Sequence, residues 1–213
     1  MSGALQVVFQ NQRSFGLAFG APFGGGFYAG QISTAGNGIA DFNLVIGPVA
    51  SAQNASKQWK NANTSGDPTS VIDGPTNSST MNSATYPAAQ FCEGLTIGGF
   101  SDWYMPAKNE LEVCYYNLKP TTASNSTSSG TNTNAVPSRG SNYTAGTPAQ
   151  TSASSFQSGN AEAFTSAGSS YWSSTQYAGF NLFGEFQTFS NGVQSGTYKA
   201  YANIVRAVRR VAV

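Results

Sequence analysis

The sequence predicts an α+β domain with few helices. Three observations lead there. Apolar residues recur at helical spacing in only two short stretches, near residues 87–95 and 107–118. Runs rich in Val, Ile, Phe and Tyr, turning at Gly36-Asn37-Gly38 and at Asn191-Gly192, occupy the two ends of the chain. Between them lies a long stretch dominated by Ser, Thr, Asn and Gly. At 213 residues the chain suits one large domain, or a domain with an arm.

Residues 1–23 read as an N-terminal arm for attachment or oligomerisation. "ALQVVFQ" suits a strand, but "FGLAFGAPFGGG" is too rich in glycine to pack alone. The domain then runs from 24 to 213. "FYAGQI" and "IADFNLVIGPV" read as two strands around the first Asn-Gly turn. Residues 51–82 are polar and loop-like, with Trp59 as the one large anchor. "ATYPAAQFCEGL" reads as a helix, with Pro87 in its first turn and Ala88, Phe91, Cys92 and Leu95 on one stripe.

Asp102, Lys108, Glu110, Glu112 and Lys119 gather in "GGFSDWYMPAKNELEVCYYNLKP" (residues 98–120), although only 9% of the chain is charged. Pro106 pushes the preceding residue out of the α region. A helix follows from Ala107 to Leu118, because Leu111, Cys114, Tyr115 and Leu118 fall at i, i+3, i+4 and i+7. The carboxylates suit its first turns, where they oppose the helix dipole. They are expected to solvate and cap a helix whose other face is core.

Residues 121–170 have the composition of a flexible linker. Tyr143, Phe156 and Phe164 argue that part of this segment is an ordered long loop. The last portion reads as strands: "YWSST", "FNLFGEFQTF", "VQSGTY" and "NIVRAVRRV". In the closing run Ile204, Arg206, Val208 and Arg210 share one face under period-2 alternation. Arg206 on that face is either buried against a carboxylate such as Asp102 or Glu110, or wet on an edge strand.

Composition excludes several functions. A net charge of +1 gives no footprint for nucleic acid or an anionic membrane, and no apolar run approaches spanning length. With no histidine there is no Ser-His or Cys-His nucleophile. Cys92 and Cys114 are too few for a thiolate zinc site. Reduced core thiols are the favoured reading, with one bridge as the alternative. Glu110 and Glu112, two apart on a helix, cannot flank one glycosidic bond. Asp102 with Glu110 remains as a hydrolase pair. Asp67 and Asp73 are the only candidates for calcium. No cofactor and no catalytic residue are expected. The start of the sequence lacks a signal peptide, so synthesis in a host cytoplasm is expected.

The motifs together resemble a known family. "PAAQFCEGLTIGGFSDWYMPAKNELEVCYYNL", "YWSST", "FSNGVQ" and "VRAVRRV" resemble the Lcl type of C-terminal domain, found in bacterial surface adhesins and tailed-phage virion proteins. The resemblance spans about Pro87 to Val211, and "GGGFYAG" and "LVIGPVASAQNASKQWKNANT" extend it toward the phage members. It implies a C-type-lectin-like fold: two helices flanking a twisted antiparallel sheet, with a long loop region. It also implies that Asp102, Trp103, Glu110, Trp172 and Arg206 are structural framework. The family usually has Ser where this chain has Ala107, so half of a capping box with Glu110 is missing, at an expected cost of about 1 kcal/mol.

The function implied is a non-enzymatic virion protein, on a tail or head fibre, that binds a host cell-surface glycan or protein. Other virion proteins would be met through residues 1–23, with a homotrimer as one possible assembly. Tyr177, Phe180, Asn181, Tyr198 and Tyr201 lie near turns and are the candidate binding surface, since aromatic and amide side chains give contact area at low entropic cost. A decoration or connector protein without a receptor is the alternative. Calcium-lectin signatures are absent, and so is the cysteine pair of the related formylglycine-generating enzymes.

Overall fold

The computed structural model describes residues 16–213. The strand expected at "ALQVVFQ" lies outside the described residues. Residues 16–23 lie on the domain: Leu17 packs against its core, and the Phe19 ring stacks on Tyr28 with centroids 5.8 Å apart.

In chain order the elements are β1 (Pro22–Phe23), β2 (Gly26–Ile32), β3 (Phe42–Ile46), α1 (Val49–Ala52), β4 (Gln53–Gln58), α2 (Gly74–Thr80), α3 (Pro87–Glu93) and α4 (Lys108–Leu118). Then come β5 (Ala135–Val136), a 3-10 turn at Ser154–Phe156, β6 (Ser170–Gln176), β7 (Phe183–Thr188), β8 (Gln194–Tyr198), β9 (Ala202–Arg206) and β10 (Val208–Ala212). The fold is α+β, with few helices and two curled, mainly antiparallel sheets. One sheet has the order β1-β2-β3-β10, with β5 also on β2; the other has the order β4-β9-β6-β7-β8. Three residues, 199–201, lead from the outer strand β8 to β9, so the second sheet must curl strongly.

The polar stretch 51–82 is more regular than expected. It holds β4 and α2 as well as loop. β4 contains little that favours a strand, but it pairs with β9, from Gln53 opposite Arg206 to Gln58 opposite Ala202. Tertiary pairing here overrides local preference. In α2, Asp73 accepts from the Thr76 N–H at the N-cap, and Pro75 sits in the first turn.

α4 departs from expectation in its environment. Leu111, Cys114, Tyr115 and Leu118 are buried as the spacing requires, but Glu110 and Glu112 are buried too, both at 0% exposure. They do not solvate the helix. α4 packs against β2, β6 and β7, and segment 121–170 closes over the rest. Glu110 accepts from the Ala107 N–H at 2.8 Å, so its half of the capping box is made. Ala107 cannot supply the other half. Two N–H groups of the first turn that have no partner within the helix are met from elsewhere: Lys108 donates to Thr175 Oγ1 at 3.0 Å and Asn109 to the Val71 carbonyl at 2.8 Å. Tertiary partners offset the missing serine.

Segment 121–170 is ordered with little regular structure. Tyr143, Phe156 and Phe164 are buried in the core that includes α4. Polar hubs hold the rest. Tyr115 Oη donates to Asn125 Oδ1 at 2.6 Å, and Asn125 Nδ2 donates to the Pro148 carbonyl at 2.9 Å. Lys119 is 2% exposed and donates to the carbonyls of Ala123 and Pro148. Gly192 fits under this segment because a Cβ there would collide with the Tyr115 and Tyr143 rings, and its φ of +76° suits glycine. Linker composition here makes a loop whose backbone groups are satisfied by amide side chains.

The closing run alternates as its spacing predicts, across the break at Ala207. Ile204 and Val208 enter the core around α4, and Val205, Ala207 and Val211 face the second core, which contains Trp59, Trp103 and Trp172. Cys114 lies in the first core and Cys92 in the second. Both are free and buried.

Candidate functional site

β6, β7, β8 and β9 bring the loop 177–182 and the connection 199–201 to one end of the second sheet. There the residues expected at a binding surface come together around a ring that sequence reasoning missed, Phe183. Phe183 and Tyr198 are register partners across β7 and β8, and their ring centroids lie 4.7 Å apart. Phe180 stands edge-on to Phe183, also at 4.7 Å, and Tyr177 lies 6.4 Å from it. Tyr201 extends the series from Tyr198 at 5.5 Å. Phe180, Tyr198 and Tyr201 are 44%, 37% and 58% exposed. Among the described residues five aromatic side chains are exposed, and three of them are here. Asn181 is exposed beside them, while Tyr177 and Phe183 are half-buried. Gly196 lies beneath the Tyr177 ring, where a Cβ would overlap its atoms.

A buried ion cluster forms the base of this tip. Lys199 is fully buried. Its ammonium shares three N–H groups among Asp67 Oδ2 at 2.6 Å, Gln176 Oε1 and the Asn181 carbonyl at 2.7 Å, and the Thr64 carbonyl at 2.8 Å. One side chain thus ties the end of β6, the 177–182 loop and the 61–67 segment together. Lys60 Nζ bridges both Asp67 oxygens at 2.8 and 3.0 Å, and Tyr86 Oη donates to Oδ1 at 2.6 Å. Burial alone would raise the Asp67 carboxyl, but these donors hold it below its ordinary value. Burial lowers the Lys199 ammonium, against the pull of Asp67. The Trp59 ring lies 4.9 Å from Lys199 Nζ, and its N–H donates to the Ser173 carbonyl at 2.7 Å. Asp67 is therefore engaged by cations, and Asp73 caps α2. Neither is free for calcium, and the described residues contain no cluster of three or more metal-ligating side chains.

The framework residues are arranged differently from their expected pairing. Arg206 is buried at 1%, but its carboxylate is Glu162, in the long loop, at 2.8 Å. It also donates to the Gly47 carbonyl at 2.8 Å and the Glu162 carbonyl at 2.9 Å, between the Phe156 and Phe164 rings. Burial lowers its pKa to about 10, still far above neutrality. Asp102 pairs instead with Arg209, through two bonds of 2.7 and 2.9 Å. Glu110 pairs with Arg210 at 2.8 Å and accepts from the Tyr104 hydroxyl. The three arginines of the closing run thus reach three different carboxylates. Period-2 spacing places them on faces, but only the packed loop brings Glu162 to Arg206. Trp103 and Trp172 are buried, their N–H groups donating to the Phe100 and Lys57 carbonyls at 3.1 and 2.9 Å.

Glu112 accepts from Asn132, Tyr143 and Arg139. Burial raises both Glu110 and Glu112 above the usual carboxylate value despite their partners. Burial also pushes both thiols well up, which keeps them protonated and poorly nucleophilic. Asp102 and Glu110, the remaining hydrolase pair, are each occupied by a separate arginine. Among the described residues no helix is long and apolar enough to cross a membrane. Comparisons of the chain with family models, curated proteins and solved structures return no match.

Proposed function

We propose that this chain is a non-enzymatic phage virion protein with a C-type-lectin-like fold, and that it binds the host surface through the aromatic tip. The observation that carries this reading is the convergence of Tyr177, Phe180, Tyr198 and Tyr201 on Phe183, with three of the rings exposed. A cluster of exposed rings is costly to leave in water unless something covers it. These rings have little freedom, because each touches another and Lys199 anchors the loop that carries Phe180. Rigid aromatic contact area of this kind suits recognition. The order Gly-Gly-x-x-Asp-Trp-x-x-Pro, Tyr-Trp-Ser-Ser and Val-Arg-x-Val-Arg supports the family assignment within the proposal.

The test is binding of the purified full chain to host cells and to their extracted surface polysaccharide, as monomer and as multimer. The double variant Tyr198→Ser/Tyr201→Ser should weaken binding at least about tenfold and lower stability by about 1–2 kcal/mol, because the Tyr198 ring also packs on Phe183 and Tyr201. Absence of binding by the unaltered protein in either form would overturn the reading.

A further inference from the structure

A second surface lies away from the aromatic tip. The C-terminal half of α4 and residues 139–152 enclose two adjoining hollows of about 310 and 340 Å³. They share Tyr116 and Thr147, so they adjoin at these two residues, and the two together are the groove. One hollow is bounded by Arg139 and Asn142, and the other by Phe19 and Gln150. The groove is held firmly. Asn125 binds the carbonyls of Thr144, Ala145 and Pro148, and Lys119 binds Pro148 as well.

We infer that this groove binds a neutral oligosaccharide chain. Its lining has one charged group, Arg139, and that charge is already matched by buried Glu112. An anionic ligand would find no unmatched cation, and a cationic ligand no carboxylate. The remaining lining is hydroxyl, amide and apolar. The hydroxyls of Ser141, Thr144 and Thr147 make no hydrogen bond to the described residues, so they are open to the hydroxyls of a ligand. Tyr116 offers ring surface to both hollows and is fixed by Arg139, whose guanidinium lies 4.0 Å from the ring centroid. Apolar ring surface among a few directed polar groups matches a sugar, which presents C–H faces and an equatorial rim of hydroxyls. Two adjoining hollows suit a chain of several units better than a single sugar. The inference takes its biological setting from the host-surface reading, but its chemistry rests on the groove alone.

Two designed variants keep the test independent of misfolding. Gly140 and Gly146 line the two hollows, have ordinary backbone angles, and would meet no atom within 4 Å if given a Cβ. Gly140→Gln and Gly146→Gln therefore add a long polar side chain to the lining of each hollow without a clash at Cβ. The full chain, labelled with 15N, is titrated with cellohexaose, maltohexaose, chitohexaose and mannohexaose while amide shifts are followed. The expected result is that at least one hexasaccharide shifts signals of residues 116–117 and 139–152, with affinity reduced about tenfold or more by Tyr116→Ala and by either glutamine variant. Tyr198→Ser/Tyr201→Ser should leave that affinity unchanged. The inference is overturned if none of the four shifts these signals, if the shifts centre on 177–201, or if the glutamine variants bind as the parent does. Host-cell binding that is lost in the tip variant, together with no hexasaccharide shift at the groove, would sink the groove and leave the tip reading intact. Groove binding of a hexasaccharide with no cell binding would do the reverse.

Discussion

The α4 framework and the aromatic tip are built from the same materials in opposite arrangements. Both combine aromatic rings with carboxylates that each accept from three groups. Around α4 the rings are buried and partly exposed arginines meet the fully buried Glu110 and Glu112. At the tip the rings face outward, while beneath them two lysines meet Asp67 in a cluster that is itself closed to solvent. The electrostatic outcome differs accordingly. Glu110 and Glu112 are raised because desolvation outweighs three donors, whereas three donors outweigh desolvation at Asp67. Deep ion pairs of the first kind define which elements meet, at a cost in desolvation. The lysine cluster anchors a surface whose rings stay available.

Breaking the framework should have the largest effect. Glu110→Ala strands Arg210 and removes the partner of the Tyr104 hydroxyl and the Ala107 N–H. A loss of about 3–5 kcal/mol is expected in urea unfolding. A loss under about 1 kcal/mol would mean that the two regions do not differ as described.

Breaking the base of the tip should cost less, because Lys60 stays with Asp67. Lys199→Ala should lose about 2 kcal/mol. Its sharper signature is local: the 177–182 loop loses its anchor at the Asn181 carbonyl. Amide exchange there should accelerate while α4 stays protected, and binding at the tip should weaken.

The smallest effect is the pH dependence, and its sign separates the regions. Glu110 and Glu112 have native pKa values above the ordinary 4.5, so the native state holds more protons than the unfolded chain just above that pH. Their contribution to stability grows as pH falls through the raised values. Glu93 and Glu185, also raised by burial, act in the same direction. Asp67 is depressed below its ordinary 3.8, so its contribution is full above that value and is lost as pH falls through the native one. Thermal melts should hold steady or rise from pH 7 toward about 4.5 and fall below about 3.8. The acid-side fall should be smaller in Asp67→Asn.

Much of the regular structure was legible locally. Pro87 at the start of α3, the Leu111-Cys114-Tyr115-Leu118 stripe and the Asn191-Gly192 turn are each encoded within a few residues. β4 and α2 were not, because β4 exists through its pairing with β9 and neither has a marked apolar period. At the tip, Tyr177, Phe180, Asn181, Tyr198 and Tyr201 could be proposed from their nearness to turns. Phe183 could not be ranked above its neighbours, since its role comes from facing Tyr198 across the hairpin.

By itself the sequence determined the class of fold, the placement of its strong elements and the face on which each closing-strand residue lies. Those properties follow from backbone preference and apolar period, which act over a few residues. Only the tertiary structure decided which charges meet. Glu162 and Arg206 are 44 residues apart, and Asp67 and Lys199 are 132 apart. Nothing in the spacing of either pair marks it. Their pairing depends on where segment 121–170 and the curled second sheet deliver them, and the strong coupling of charge to burial makes that delivery decide which carboxylates are raised and which are held down.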